Sequence, residues 1–264
     1  MKKLKVTTLG TAALCGTLLF SGLGNALAAP GEIPANRDTD ATVKFVPNED
    51  PTNPVDPENP GTEVEPENPD GSKPDPGTNG PLSLDYASSL DFGTNVISTK
   101  DEVYNAKAQK LKDGSYVPNY AQVTDNRGTL KGWSLSVKQN GQFKSSTDGK
   151  ELQGAQITFN HAVVNSISES AKPGTVKESF VLNPDGSGNG TNVVVAGEGE
   201  GAGTWTYHFG DQSHIKAATD KDGNDLGYKE SDSITLEVPG KSEKLADSYK
   251  TTLTWTLTDT PKNN

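Results

Sequence analysis

The residues that could do chemistry are three histidines and a glycine-rich run. His161, His208 and His214 are scattered along the chain, and the last two lack the i, i+4 spacing of a helical metal pair. The run GEGEGAG at 197–203 has no GxGxxG frame and no following Lys-Ser/Thr pair, and it precedes a predicted strand rather than a helix. It therefore predicts a loop, and the sequence predicts no metal site and no cofactor.

The remaining candidates for a functional site are a short acidic segment, which could bind calcium, and pairs of carboxylates, which could catalyse hydrolysis. The segment 220–225 faintly resembles a calcium loop, but Asp225 stands where glycine is required and Ser231 where the bidentate glutamate should be. A turn is favoured over a calcium site. The chain has no GxSxG and no cysteine–histidine couple, and its 35 acidic residues do not single out a hydrolytic pair.

Residues 1–28 read as a signal peptide. Three lysines stand among the first five residues, an apolar run follows, and Ala26–Ala28 offers a small-residue cleavage site. The only cysteine, Cys15, lies in this segment behind Leu14, where a lipoprotein signal needs a small residue. The predicted mature chain has no thiol and no transmembrane segment, which excludes disulfides and cysteine nucleophiles.

Charge excludes two classes of partner. Without the signal peptide the chain has 35 acidic and 21 basic residues, and the segment 31–80 alone has 12 acidic and 3 basic ones. Nucleic-acid binding requires a basic patch, and an anionic membrane surface attracts basic segments. Neither partner is predicted.

Composition divides the mature chain into three parts. Residues 29–46 end in ATVKFV, which predicts a short strand over 41–46. Residues 47–81 are rich in Pro, Glu, Asp, Asn and Gly and contain PENP twice. A segment with so few apolar side chains is predicted to remain an extended linker.

Residues 82–264 have a β pattern throughout. Short runs of β-branched and aromatic residues alternate with turn signals such as Asn140-Gly141 and Asp148-Gly149. The segment 100–111 could be helical, but the alternation within it favours a strand. The fold class is therefore all-β, with a single β-sandwich or barrel-like domain.

Two strands share the pattern Trp, any residue, Leu. One spans 132–139 and the other spans 249–261, where apolar and polar residues alternate until a proline ends the ladder. The predicted binding or motif residues are Trp133, Leu135, Tyr249, Leu253, Trp255, Leu257 and Pro261.

These strands carry a family resemblance. The terminal run YKTTLTWTLTDTP resembles the C-terminal motif of WxL-domain cell-surface proteins of low-GC Gram-positive bacteria, and Trp133 with Leu135 is similar to that family's first motif. Further blocks resemble its recurrent segments: Gly80–Tyr86, Leu90–Gly93, Val123–Gly128 and Phe209–Gly210. The likeness runs from Ala41 to the C-terminus.

The resemblance implies a small, secreted, single-domain member that attaches non-covalently to peptidoglycan at the cell wall. It further implies larger WxL proteins and membrane-anchored proteins as partners in surface assemblies. The sequence contains no LPxTG signal, so covalent anchoring has no support. Two alternatives stay open: a scaffolding module held at the wall by a membrane-anchored partner, and a secreted glycan-active hydrolase using two carboxylates.

The role of the tryptophans is also open. Trp133 and Trp255 lie on apolar faces, where a large ring usually fills a core, although direct contact with a glycan is an alternative for each. The outward threonines of the last strand read as ordinary β surface, with hydrogen bonding to a sugar or to a partner's strand as the alternative.

Overall fold

The computed structural model describes residues 36–185 and 190–259, so the predicted signal peptide and Pro261 lie outside the described residues. The elements are β1 Leu82–Ala87, β2 Glu102–Lys107, β3 Gln109–Lys110, β4 Tyr116–Val117, β5 Tyr120–Asp125, β6 Trp133–Gln139, β7 Lys144–Ser145, β8 Gln156–Phe159, β9 Ala162–Asn165, β10 Thr175–Val176, β11 Phe180–Leu182, β12 Val194–Ala196, β13 Gly203–Phe209, a 3₁₀ turn Gln212–His214, β14 Ile215–Thr219, β15 Asp225–Val238, β16 Tyr249–Lys250 and β17 Leu253–Thr258. The predicted all-β class is confirmed, and the segment 100–111 forms strands rather than a helix.

Three larger antiparallel sheets make up the fold. Their strand orders are β1-β5-β13-β9, β10-β12-β6-β17, and β11-β8-β15-β14 with β2 also paired to β15. The pairs β7–β16 and β3–β4 form two small ribbons. Across residues 36–185 and 190–259, no helix has the length and apolar character needed to cross a membrane.

The two Trp-x-Leu strands are direct neighbours. β17 pairs antiparallel with β6, and the register places Trp255 opposite Val137 and Leu257 opposite Leu135. Paired residues project to the same side of a sheet, so both apolar faces point the same way. The matched patterns in the sequence therefore correspond to one shared face.

Aromatic side chains from different sheets meet in the main core. Phe159 of β8 stacks on Phe180 with ring centroids 4.7 Å apart, and it contacts Phe209 of β13 at 4.8 Å. Since the sequence offers few large apolar side chains, these rings fill much of the space between the sheets.

The proline-rich segment 51–67, here called the strap, differs from the predicted extended linker. It packs on the polar face of β5, where the Val55 amide donates to Oε1 of Gln122 at 2.8 Å. The hydroxyl of Thr206 on β13 donates to the carbonyl of Pro57 at 3.0 Å. Val55 is 8% exposed and Gln122 is fully buried, so the strap shields β5 from solvent.

The strap is ordered although it contains few apolar side chains. Proline already restricts φ in the unfolded chain, so ordering a proline-rich segment costs less conformational entropy than ordering an average one. Its carbonyls and amides also find buried side-chain partners on the sheet. Residues 41–46, in contrast, are not a strand, and Val43 and Phe45 are 78% and 87% exposed.

Candidate functional site

Trp133 is a core residue. It is 1% exposed, and its indole Nε1 donates a hydrogen bond to the carbonyl of Gly201 at 2.9 Å. Gly201 has a φ of +70°, and a Cβ at this position would lie 2.6 Å from Cβ of Ala196 and 2.7 Å from Nε1 of Trp133. Only glycine lets the loop approach the ring this closely.

The loop 197–203 is thus a support for Trp133, in agreement with its prediction as a loop. The carboxylate of Glu200 accepts hydrogen bonds from the amides of Gly174 and Gly197 at 2.7 and 2.8 Å. The amide of Gly201 donates to the carbonyl of Ala171 at 2.8 Å. These contacts fix the loop over the indole edge.

Trp255 lies in a different environment on the edge strand β17. It is only partly buried, and its ring meets Phe159 edge-on with centroids 6.4 Å apart. Leu253 and Leu257 are partly buried on the same face, whereas Thr254 and Thr256 are exposed on the other. The first tryptophan is therefore enclosed by the protein, and the second contributes to the core while keeping some accessible surface.

Tyr249 lines an open groove with a volume of about 820 Å³. The groove also contains Phe92 from the LDFG block and Tyr104 of β2, with Val96 and Ile97 among its exposed lining residues. The Tyr249 hydroxyl accepts a hydrogen bond from the Leu245 amide at 2.8 Å, which holds one wall. Two separate sequence blocks thus converge on one concave, aromatic surface.

Charged groups in the groove are held in fixed positions. Lys107 forms an ion pair with Asp91 at 2.7 Å, and Lys244 Nζ donates to backbone carbonyls, including that of Pro239 at 2.9 Å. Hydrogen bonds from the Ser145 hydroxyl and the Thr147 amide lower the pKa of Asp247 to about 2. The groove therefore combines aromatic faces with oriented polar groups, as ligand-binding sites do.

The structure separates the predicted site residues into three places. Trp133 and Leu135 are buried, the residues of β17 pack beside them at the sheet edge, and Tyr249 lies in the groove. Sequence reasoning missed Phe92 and Tyr104 as groove residues. The LDFG block was a signal for the first, but no local pattern places it next to Tyr249.

The histidines are less scattered than the sequence indicates. His208 is buried with Nδ1 2.9 Å from the Gly210 carbonyl, and burial lowers its pKa. The rings of His161 and His214, however, lie 4.4 Å apart. Together with Asp232 they offer three ligand atoms within 4.8 Å of one another.

Residues 33–261 match the family model described as WxL domain surface cell wall-binding. No significant match was found among curated proteins or among solved structures.

Proposed function

The chain belongs to the family of WxL surface cell-wall-binding domains, and from this premise we propose that the mature protein attaches non-covalently to peptidoglycan and performs no catalysis. It is a cell-surface, cell-wall-associated protein. We further propose that residues 1–28 direct its secretion and are then removed.

The observation that supports this proposal most is the groove at Tyr249. It joins a residue of the terminal motif to the LDFG block, and it is concave, aromatic and open. Aromatic faces pack against the apolar faces of sugar rings, while positioned polar groups orient their hydroxyls. The groove is accordingly the proposed contact with the wall, and Trp133 acts by supporting the sheet beside it.

Sedimentation with purified peptidoglycan tests the proposal. Tyr104→Ala and Ile97→Ser should each reduce the bound fraction, because both side chains line the groove. Leu226→Ser is the matched control, since Leu226 is exposed but lies outside the groove. If the two groove variants bind peptidoglycan as well as the Leu226→Ser control does, the groove is not the contact with the wall.

The same assay separates binding from hydrolysis. Walls incubated with the protein should release no reducing ends under conditions where binding is complete. A release that grows with time and protein concentration would favour the glycan-active hydrolase instead.

Assembly with protein partners is the second candidate function. β17 lies at the edge of its sheet, and a partner's strand can add to such an edge through main-chain hydrogen bonds. The proposed partners are larger WxL proteins and membrane-anchored proteins. Binding to walls only when cell extract is added would favour this scaffolding role over direct attachment.

A further inference from the structure

We propose that His161, His214 and Asp232 form a binding site for a divalent transition-metal ion of the zinc class. One ring nitrogen of each histidine and one carboxylate oxygen of Asp232 lie within 4.8 Å of one another. This site is distinct from the groove and is independent of the proposed wall contact. Two imidazoles and one carboxylate are a ligand set suited to Zn²⁺, and three protein ligands leave a coordination position open.

The distances are compatible with coordination after small side-chain rotations. A tetrahedral zinc with bonds of about 2.1 Å holds its ligand atoms roughly 3.4 Å apart. The three atoms therefore need to close by about 1.4 Å at most, which side-chain rotations supply.

Three elements bring the ligands together, and each is anchored. His161 occupies the turn between β8 and β9, where the amide of Asn160 donates to the Ser233 carbonyl at 2.7 Å. His214 ends the 3₁₀ turn, and the following residue, Ile215, pairs with Ser231 on β15. Asp232 lies beside Ser231 on β15.

The backbone at the site departs from regular geometry. His161 has a φ of +55°, a left-handed conformation that few non-glycine residues adopt. On β15, Ser231 pairs with Ala106 and Thr235 with Asn105, so residues 232–234 form a bulge relative to β2. Bulges re-aim side chains and are common next to functional sites.

Close packing brings Ser233 and His214 together. A Cβ on Gly210 would lie 2.2 Å from the Ser233 hydroxyl and 3.0 Å from Cβ of His214. Glycine at this position permits the approach.

Both imidazoles have partners that orient them. Nδ1 of His214 lies 3.0 Å from Oδ1 of Asp211 and 3.2 Å from the Asp211 amide, and Nδ1 of His161 lies 3.3 Å from the Ser233 hydroxyl. Metal-binding histidines usually donate the N–H of their second ring nitrogen to a carboxylate or another oxygen. If Nδ1 has this role here, Nε2 is the nitrogen that would bind the ion. In the metal-bound form the Nδ1–H of each ring would donate to the Asp211 carboxylate and to the Ser233 hydroxyl, and His214 would no longer accept the Asp211 amide.

The carboxylate has an oxygen available. Lys216 Nζ lies 3.5 Å from Oδ2 of Asp232, while Oδ1 is shielded from solvent and contacts no hydrogen-bond donor within the part of the chain that the structure describes. A shielded anionic oxygen without a donor is unfavourable unless a cation or a donor satisfies it. Oδ1 is thus the proposed carboxylate ligand.

Isothermal titration of the tag-free mature protein with Zn²⁺ tests the site. We expect one ion per chain, with much weaker binding of Mg²⁺ and Ca²⁺. His161→Ala, His214→Ala and Asp232→Asn should each weaken Zn²⁺ binding by at least about tenfold, since even loss of an outer partner costs roughly 10–100-fold. Co²⁺ should give the visible absorption of a tetrahedral site.

Two controls make the result decisive. Lys216→Ala removes the competing ammonium and should leave Zn²⁺ affinity unchanged or raise it, whereas Asp222→Asn removes an exposed carboxylate elsewhere and should have no effect. The melting temperatures of the metal-free variants show whether each is folded, and His161→Gln and His214→Gln replace any alanine variant that is not. Equal Zn²⁺ affinity in the wild type and in the folded variants of both histidines would overturn the proposal.

Discussion

Replacing each motif tryptophan by alanine should separate its structural role from its binding role. Trp133 is fully buried, and burial of an aromatic side chain removes about 200 Å² from water, or roughly 5 kcal/mol at about 25 cal/mol per Å². This is an upper value because unfolded chains already bury some surface. Measured Trp→Ala substitutions in cores cost about 3–5 kcal/mol.

We therefore expect Trp133→Ala to lower the free energy of unfolding by about 3–5 kcal/mol. The loss of the indole donor to Gly201 places it toward the upper end. For a domain of this size the melting temperature should fall by about 10–15 °C. Trp255 is only partly buried, so Trp255→Ala should cost roughly half as much, about 1.5–3 kcal/mol.

Thermal or denaturant unfolding measures both values, and sedimentation with peptidoglycan is then compared at a temperature where both variants are folded. Trp133→Ala should retain wall binding once folded. If Trp255→Ala keeps the wild-type melting temperature but no longer binds peptidoglycan, the Trp255 ring contacts the ligand and does not serve mainly to pack the core. A small effect of Trp133→Ala on unfolding would refute the reasoning from burial.

Four further outcomes are expected. Gly201→Ala should lower the free energy of unfolding by about 1–3 kcal/mol more than Gly199→Ala in denaturant titrations of the two variants. Both glycines have a left-handed backbone, but an added Cβ at Gly199 would meet no atom of the described residues within 4 Å. Gln122→Leu should cost about 2–3 kcal/mol and accelerate hydrogen exchange at the Val55 amide, because the strap loses its buried partner; unchanged exchange would mean that other contacts hold the strap. Burial raises the pKa of Asp85, so the folded state favours the protonated carboxyl. The contribution of Asp85 to the free energy of unfolding is therefore present below its unfolded pKa and is lost as the pH rises through its folded pKa. Unfolding curves from pH 3 to 8 should show this decline in the wild type and not in Asp85→Asn. Because the mature chain is acidic, wall retention should be unchanged or better as salt rises, and elution from teichoic-acid-stripped walls by a few hundred millimolar salt would show that ion pairs dominate.

Three hydrogen-bond donors around the Asp85 carboxylate limit the rise of its pKa. The Thr124 hydroxyl donates at 2.6 Å and Gln122 Nε2 at 3.0 Å to Oδ2, while the Ser83 hydroxyl donates to Oδ1 at 2.5 Å. These bonds oppose the effect of burial without cancelling it. Gln122 and Thr124 lie on the face of β5 that the strap covers, and Asp85 and Ser83 lie on the neighbouring strand β1, which links this pH dependence to the strap.

Local patterns by themselves determined the all-β class and the pairing faces of the two Trp-x-Leu strands. Period-two alternation depends only on the geometry of a pleated strand, so Trp133 and Leu135 could be assigned to one face before any partner was known. The turn at 220–225 and the loop at 197–203 were likewise readable, because glycine and Asx residues act on their own backbone. The family motif at the terminal strand could also be recognised from the local order of residues alone.

Only the tertiary structure decided which faces are covered and which distant residues meet. Gln122 is a polar residue that alternates with Ala121 and Val123 along β5, yet it is buried because the strap, more than fifty residues upstream, lies over it. His161, His214 and Asp232 lie together because the fold packs three separate elements against one another, and Tyr249 and Phe92 line the same groove for the same reason. A local sequence pattern determines the side of a strand to which a residue points. The segment that packs against that side is determined by the free energy of the whole fold, which a local pattern does not contain.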